Sequence, residues 1–293
     1  MKTGCFQAKP YFIPALDPEF RPAILELKAF SKAVAETGQA VPFKIALERN
    51  NGYISTFELQ VFAPESANFA ANFFYVERVV KTLLWQKGGW KLTIGGPGAI
   101  GEHIRQVYSP NGARRFDAEF MERVYEQPFT VEVTQYQFVP ETIESAKPVG
   151  RHLNGCRIGF DAGGSDRKVS AVMDGQTVYS EEVIWHPKTQ ADPDYHYQEI
   201  LTAMKTAASH LPKIDAIGVS AAGVYVNNRT MVASLFIKVP PDLFALKVKE
   251  IFPRIQKEMG GIPLEVANDG DVTALAGAMD LNDTKVLGIA MYE

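Results

Sequence analysis

Residues 158–175 read IGFDAGGSDRKVSAVMDG, and this stretch decides the fold class. A buried strand ends in Asp161, turns through Gly163, Gly164 and Ser165, and returns as a second strand. Asp174-Gly175 then closes that strand with a strong hairpin signal, because both turn residues tolerate positive φ. Three strand-like runs therefore follow in quick succession at 156–163, 168–173 and 177–184.

Downstream, 194–210 reads as a helix and IDAIGVS, 214–220, as a buried strand. LFIKV, 235–239, reads as a short strand before a helix over 242–258. PLEVA, 263–267, is a strand running into the helical NDGDVTALAGAM, and VLGIAM, 286–291, starts another strand. The order β-β-β-α-β-β-α-β-α-β defines one layered α/β lobe with a mixed sheet and the opening strand of something further on.

Upstream, 1–140 reads as a separate α+β domain, whose role the sequence leaves open. Helices are expected over 21–38, 67–86, 101–108 and 116–125, and strands over 41–47, 53–62, 89–94 and 128–139. Between the two halves, 141–155 is polar and carries Pro148, Gly150 and Gly155, which predicts a linker. The second domain is then 156–293.

Composition narrows the function classes. The 293 residues carry a net charge of −4, with 46% hydrophobic and 22% charged residues, an ordinary globular balance. No basic patch implies nucleic acid, and no helix-turn-helix with a basic recognition helix is evident. No apolar run approaches the ~18 residues of a membrane helix, and the N-terminus lacks the apolar core of a signal peptide. Two cysteines, Cys5 and Cys156, are too few for a disulfide scaffold. A soluble cytoplasmic protein is the expectation.

Two motifs carry chemistry. The glycines after Asp161 let backbone approach a phosphate without a Cβ in the way, and Asp161 suits Mg²⁺, which takes carboxylate plus phosphate oxygens. The bland alternative is a hairpin turn, which also wants Asp and Gly. Asn268-Asp269-Gly270-Asp271 follows a strand and opens a helix. Helix capping explains it by itself; a general base for an attacking hydroxyl is the functional alternative. The motifs lie about 108 residues apart with IGVSAAG, 217–223, between them, so three turns stand at three strand ends of one lobe.

The hairpin segment resembles the first phosphate-binding hairpin of the actin/hexokinase/heat-shock ATPase superfamily. Within it, IGVSAAG, VNNRT (226–230) and PLEVANDGDVTALAGAM (263–279) resemble the ROK family of bacterial repressors and sugar kinases. The resemblance covers 156–293 and implies a ribonuclease H-like, actin/hexokinase-type lobe acting on ATP, Mg²⁺ and a sugar. Asp269 falls on the catalytic base. Asn268, Gly223 and Ser234 would hold the sugar. Asp161, Gly163, Gly164, Ser165 and Lys168 would face the ATP phosphates, with Asp161 also toward Mg²⁺. A sugar-sensing protein that keeps the lobe without catalysis is the other function this resemblance admits.

The chain departs from the family in two local places. Ala222-Gly223 stands where Pro-Gly is usual, and Asp166 adds an acid beside the phosphate turn, unfavourable unless metal or Lys168 offsets it. The family's second glycine-rich loop and adenosine lobe would begin after VLGIAM, so an incomplete active site is expected of this chain. Two further features read as decoys. Gly96-Pro97-Gly98-Ala99-Ile100-Gly101 matches G-x-G-x-x-G but lacks a parallel strand ending in the acid Asp117, so a turn is the better reading. Trp185-His186-Pro187 with Asp192–His196 forms an aromatic, acidic loop, a surface connection or a pocket wall. An exposed VLGIAM edge predicts pairing with another chain, as in a homodimer. Light scattering reads this directly, and a clean monomer would contradict it.

Overall fold

In the computed structural model, residues 6, 11–20, 22–145 and 153–283 are described. The chain divides into two compact units, Met1–Ala146 and Lys147–Glu293. Both are α/β, and each is built on a mixed sheet.

The first unit runs α1 (Ala23–Glu36), β1 (Val41–Glu48), β2 (Ile54–Val61), α2 (Ala71–Lys87), β3 (Lys91–Gly95), α3 (Gly98–Val107), α4 (Arg115–Tyr125) and β4 (Thr130–Thr134). Sheet order is β2-β1-β3-β4. β1 pairs antiparallel with β2 and β3, whereas β3 and β4 are parallel. The last pair needs a crossover, which α3 and α4 supply. The expected α+β domain thus contains a βαβ unit. Strand 128–139 is shorter than its composition suggests: after Thr134 the chain coils into a 3₁₀ turn at Tyr136–Phe138.

Phe43, Ile45, Leu47, Val76, Val80, Leu84, Leu92, Ile94, Ile100 and Ile104 form the core of this unit. Asn72 is a fully buried polar residue beside a smaller aromatic cluster of Phe30, Phe62 and Tyr75. Its amide accepts from Phe62 N–H (3.0 Å) and donates to Phe62 C=O (2.9 Å). This pins the end of β2 to the start of α2 and satisfies two buried backbone groups.

The segment expected as a linker is tied at both ends. Ile143 bridges to Ile54 in β2, and Glu141 pairs with Lys44 at 2.9 Å. Farther on, Gly155 N–H donates to Asp174 Oδ1 at 2.7 Å. Residues 146–152 lie outside the described residues.

The second unit opens with a meander: β5 (Cys156–Ala162), β6 (Asp166–Met173) and β7 (Gln176–Ile184). Asp174 (φ 50°) and Gly175 (φ 80°) make the two-residue turn between β6 and β7. α5 (Pro193–Ala208) follows, with Asp192 capping it by accepting from Asp194 N–H at 2.9 Å and Pro193 in its first turn. Next come β8 (Ala216–Ala221), the hairpin β9 (Val224–Val226) and β10 (Arg229–Val232), α6 (Pro241–Leu243), α7 (Ile251–Glu258), β11 (Leu264–Asn268) and α8 (Asp269–Leu281). Sheet order is β11-β8-β5-β6-β7, with β5, β8 and β11 mutually parallel and β6 and β7 antiparallel.

Period-two burial along β5 puts Ile158, Phe160 and Ala162 on one face. Ile217, Val219, Leu264 and Val266 join them, covered by Ile200, Met204, Phe252 and Ile255 from α5 and α7. On the other face, α8 lies with none of its residues fully buried.

Two expectations fail here for physical reasons. LFIKV is not a strand. Ser234–Phe236 form a 3₁₀ turn, and Leu235, Phe236 and Val239 are buried at spacings that do not alternate; five apolar-rich residues cannot by themselves separate a strand from a buried turn. The helix over 242–258 is broken into α6, a π-helical turn at Phe244–Val248, and α7. Pro253 has no N–H for the Lys249 carbonyl four residues back, and that carbonyl accepts from Thr230 N–H of β10 instead, at 3.0 Å. VLGIAM, with the pairing edge expected of it, lies outside the described residues.

Replacing Asn72 by Ala leaves both Phe62 backbone groups buried and unpaired. A loss of about 2–4 kcal/mol is expected in urea unfolding of the first unit; an unchanged midpoint would show that water replaces the amide.

Candidate functional site

Three turns gather at the carboxyl edge of the parallel strands in the second unit. Ala162 of β5 is registered with Ala221 of β8, and Ala221 with Asn268 of β11. Adjacent strands stand roughly 4.8 Å apart, so the outer two turns are on the order of 10 Å from one another. Asp161, Gly163, Gly164 and Ser165 are at the first, Ala222 and Gly223 at the second, Asn268 and Asp269 at the third.

Each turn has internal reasons for its residues, and these separate structure from chemistry. A Cβ on Gly163 would lie 2.5 Å from Asp166 C=O, so the hairpin alone demands glycine there. Gly223 has φ +149°, and a Cβ would meet Val232 C=O at 2.5 Å and Ala233 Cβ at 2.9 Å; this glycine too is required by packing. Gly164 differs, because a Cβ there would meet only the end of the Lys188 side chain, with Nζ at 2.7 Å.

Asn268 is the N-cap of α8: Gly270 N–H donates to its Oδ1 at 2.9 Å, and its Nδ2 donates to Gly223 C=O at 2.8 Å. The amide thus caps the helix and ties the second and third turns together. One N–H and one lone pair of the four-site amide remain for a ligand. Asp269, half-buried, accepts from Gly270 N–H at 2.9 Å. Tyr225 is beside it: burial raises the phenol's pKa, and the Asp269 carboxylate raises it further. Ser234 is exposed and follows Ala233, which packs on Gly223.

The charges around the first turn pair with near neighbours. Lys168, expected to face phosphate, donates to Asp166 at 3.0 Å and sits 3.7 Å from Glu182. Its hydrogen bond lowers the Asp166 pKa, and that carboxylate in turn raises the Lys168 pKa. Lys168 therefore offsets the extra acid and is engaged in doing so. Arg167 points to the other face, paired with Glu199 at 2.9 Å. Lys188, which reaches over Gly164, was not legible as a site residue: it is 23 positions beyond Ser165 in a loop with no phosphate-binding spacing.

That loop is fastened to the turn. Trp185, fully buried, donates its indole N–H to Gly163 C=O at 2.8 Å and its backbone N–H to Ser165 C=O at 3.0 Å. His196 of α5 holds the next residues, with Nε2 at 3.0 Å from Pro187 C=O and 3.2 Å from Leu235 C=O. The aromatic loop is thus a brace for the first turn.

A groove of about 960 Å³ runs from this edge along the open sheet face beneath α8. Asp161, Lys168, Gly218, Asp271, Leu275 and Met279 are among its lining. Among the described residues, no group of three or more His, Cys, Asp or Glu residues could hold a metal by themselves. A single carboxylate, Asp161, still fits Mg²⁺, which keeps waters and takes its other ligands from phosphate. In the first unit, the G-x-G-x-x-G segment opens α3 between parallel strands. Its acid, Asp117, lies inside α4, where it accepts from Trp85 Nε1 at 2.7 Å rather than ending a strand. Among the described residues, no helix is long and apolar enough to cross a membrane.

No protein-family model and no curated protein matches the chain. Solved structures show a partial likeness. A ROK hexokinase from Thermus thermophilus is 19% identical over 42% of this chain and 38% of its own, with a TM-score of 0.33. A glucokinase from Parabacteroides distasonis is 20% identical over 42% of this chain and 33% of its own, at 0.34. RuvC from T. thermophilus, solved with a Holliday junction substrate, is 14% identical over 47% of this chain and 85% of its own, at 0.28. The chain spans less than two-fifths of the length of either kinase. These scores describe a partial likeness of shape and assign no chemistry.

Replacing Lys168 by Met frees Asp166 from its main stabiliser. The Asp166 pKa, held below its ordinary value in the folded protein, is expected to rise in an NMR titration. A depressed carboxylate stabilises the fold above its unfolded pKa, and this contribution is lost as pH falls through the folded pKa, below about pH 4. The variant should therefore be slightly less stable than the parent at neutral pH, and the difference should disappear as the pH falls below about 4. An unmoved Asp166 titration would contradict the pairing.

Proposed function

We propose that the second unit is the phosphate- and sugar-binding lobe of a ROK-type sugar kinase, which transfers a phosphoryl group from MgATP to a sugar hydroxyl. One observation carries this reading: three turns bearing glycine, acid and amide groups stand side by side at the carboxyl edge of three parallel strands. That edge is where α/β sheets bind ligands. The sheet, a hairpin meander extended by two parallel strands, agrees with the ribonuclease H-like lobe that the sequence motifs imply.

The roles divide along the edge. Gly164 and Ser165 present exposed backbone, free of a Cβ at Gly164, toward the phosphates. Asp161 would hold Mg²⁺, which would supply charge neutralisation at the phosphates. Asp269 takes the proton of the attacking hydroxyl; it begins a helix across the edge from the phosphate turn. Asn268, Gly223 and Ser234 border the sugar, with Asn268 acting mainly by fixing the positions of Gly223 and Asp269.

The test is ADP release from MgATP across a panel of sugars, in the parent and in Asp269→Asn. In a protein completed by the second glycine-rich loop and adenosine lobe that the resemblance implies, sugar-dependent release is expected, falling about 10²–10⁴-fold in the variant while sugar affinity is retained. Equal turnover in the two proteins would remove Asp269 from the chemistry. Sugar binding with no ADP release in the completed protein would make the lobe a sensor rather than a phosphotransferase.

A further inference from the structure

Lys188 is an exposed cation placed on the phosphate turn by interactions that leave its own charge unused. Its Nζ and Cε would stand 2.7 and 2.9 Å from a Cβ built on Gly164, so the side chain lies across the one glycine of the turn that packing does not require. Among the described residues Lys188 forms no ion pair, whereas Lys168 is taken up by Asp166 and Glu182, and Arg167 by Glu199 and Glu181. The turn carries an acid, Asp166, on its Lys168 side and a free cation on its Lys188 side.

The backbone that carries Lys188 is fixed to the turn. Trp185 bonds to both Gly163 and Ser165 through its indole and its backbone N–H. Pro187 is buried and held by His196, and Thr189 N–H and Gln190 N–H close the 3₁₀ turn onto His186 and Pro187 carbonyls. The Lys188 side chain itself is exposed. A flexible ammonium on a rigid base, beside exposed glycine backbone, suits a phosphate group, toward which lysine acts as a point charge.

We infer that Lys188 is a phosphate ligand of this edge, closing over the Gly164–Ser165 turn onto the polyphosphate of the bound nucleotide. This rests on the phosphate-site reading of the turn, and its ligand class is a polyphosphate chain rather than the sugar. It also assigns a purpose to the Trp185–His196 loop, which fastens a charge to a turn 23 positions earlier in sequence.

The test uses the full chain, with magnesium pyrophosphate and MgATP as separate probes, measured by titration calorimetry at low and high salt. Lys188→Met keeps the length of the side chain and removes its charge; because the residue is exposed, an unchanged thermal midpoint is expected. Pyrophosphate affinity should fall about tenfold or more, with a shallower salt dependence, and Lys188→Arg should restore most of it. Equal pyrophosphate and MgATP affinities in parent and Lys188→Met would overturn the role of Lys188 and leave the kinase reading intact. A parent that binds neither probe would overturn the phosphate turn and Lys188 together. Charge-dependent pyrophosphate binding in a chain that releases no ADP with any sugar would keep Lys188 and remove the kinase reading.

Discussion

Parallel pairing of β5, β8 and β11 is the constraint on which the second unit depends. Parallel neighbours end on the same edge, so turns separated by about 108 residues in sequence come within two strand spacings of each other. Parallel pairing also forces crossovers, and the crossovers cover one face of the sheet. α5 and α7 bury that face, which leaves the carboxyl edge and the open face beneath α8 for chemistry. The core and the candidate site are two consequences of one topology.

Much of what looks functional at that edge first serves the fold. Gly163 and Gly223 exist because neighbouring carbonyls leave no room for a Cβ. Asn268 caps α8 and binds the β8 turn, so it would be retained by a protein with no ligand at all. This does not compete with a functional role. An amide that fixes two turns in one geometry also fixes the groups they carry, which is what preorganised sites need. Residues without such a structural occupation are the more informative ones: Gly164, Lys188 and the exposed Ser165.

The first unit has its own glycine turn and its own buried polar contacts. Its G-x-G-x-x-G turn joins parallel strands, and a Cβ on Gly101 would lie 2.6 Å from Val133 in β4, so that glycine serves close helix–strand packing. Its acid is spent on Trp85. The buried polar contacts of this unit, Asn72 with Phe62 and Lys44 with Glu58 and Glu141, join its own segments to one another.

The sequence by itself determined the elements with a strong local period or turn code. The alternation in β5, the Asp174-Gly175 turn and the Asp192-Pro193 helix start are each fixed by residues within a few positions of one another. It also showed the three turns that line the edge, because each stands at the end of a strand-like run. Tertiary structure alone decided the rest. Whether LFIKV is strand or turn depended on what it packs against, and the break before α7 on where the Lys249 carbonyl finds its donor. The parallel β3–β4 pair depended on the crossover through α3 and α4. At the site, the sequence singled out Lys168 and gave no sign of Lys188, yet the first is engaged by Asp166 and Glu182 and the second is carried to Gly164 by the loop that Trp185 fastens. Backbone period is a property of neighbours along the chain; the pairing of charges is a property of neighbours in space, and only the folded chain defines those.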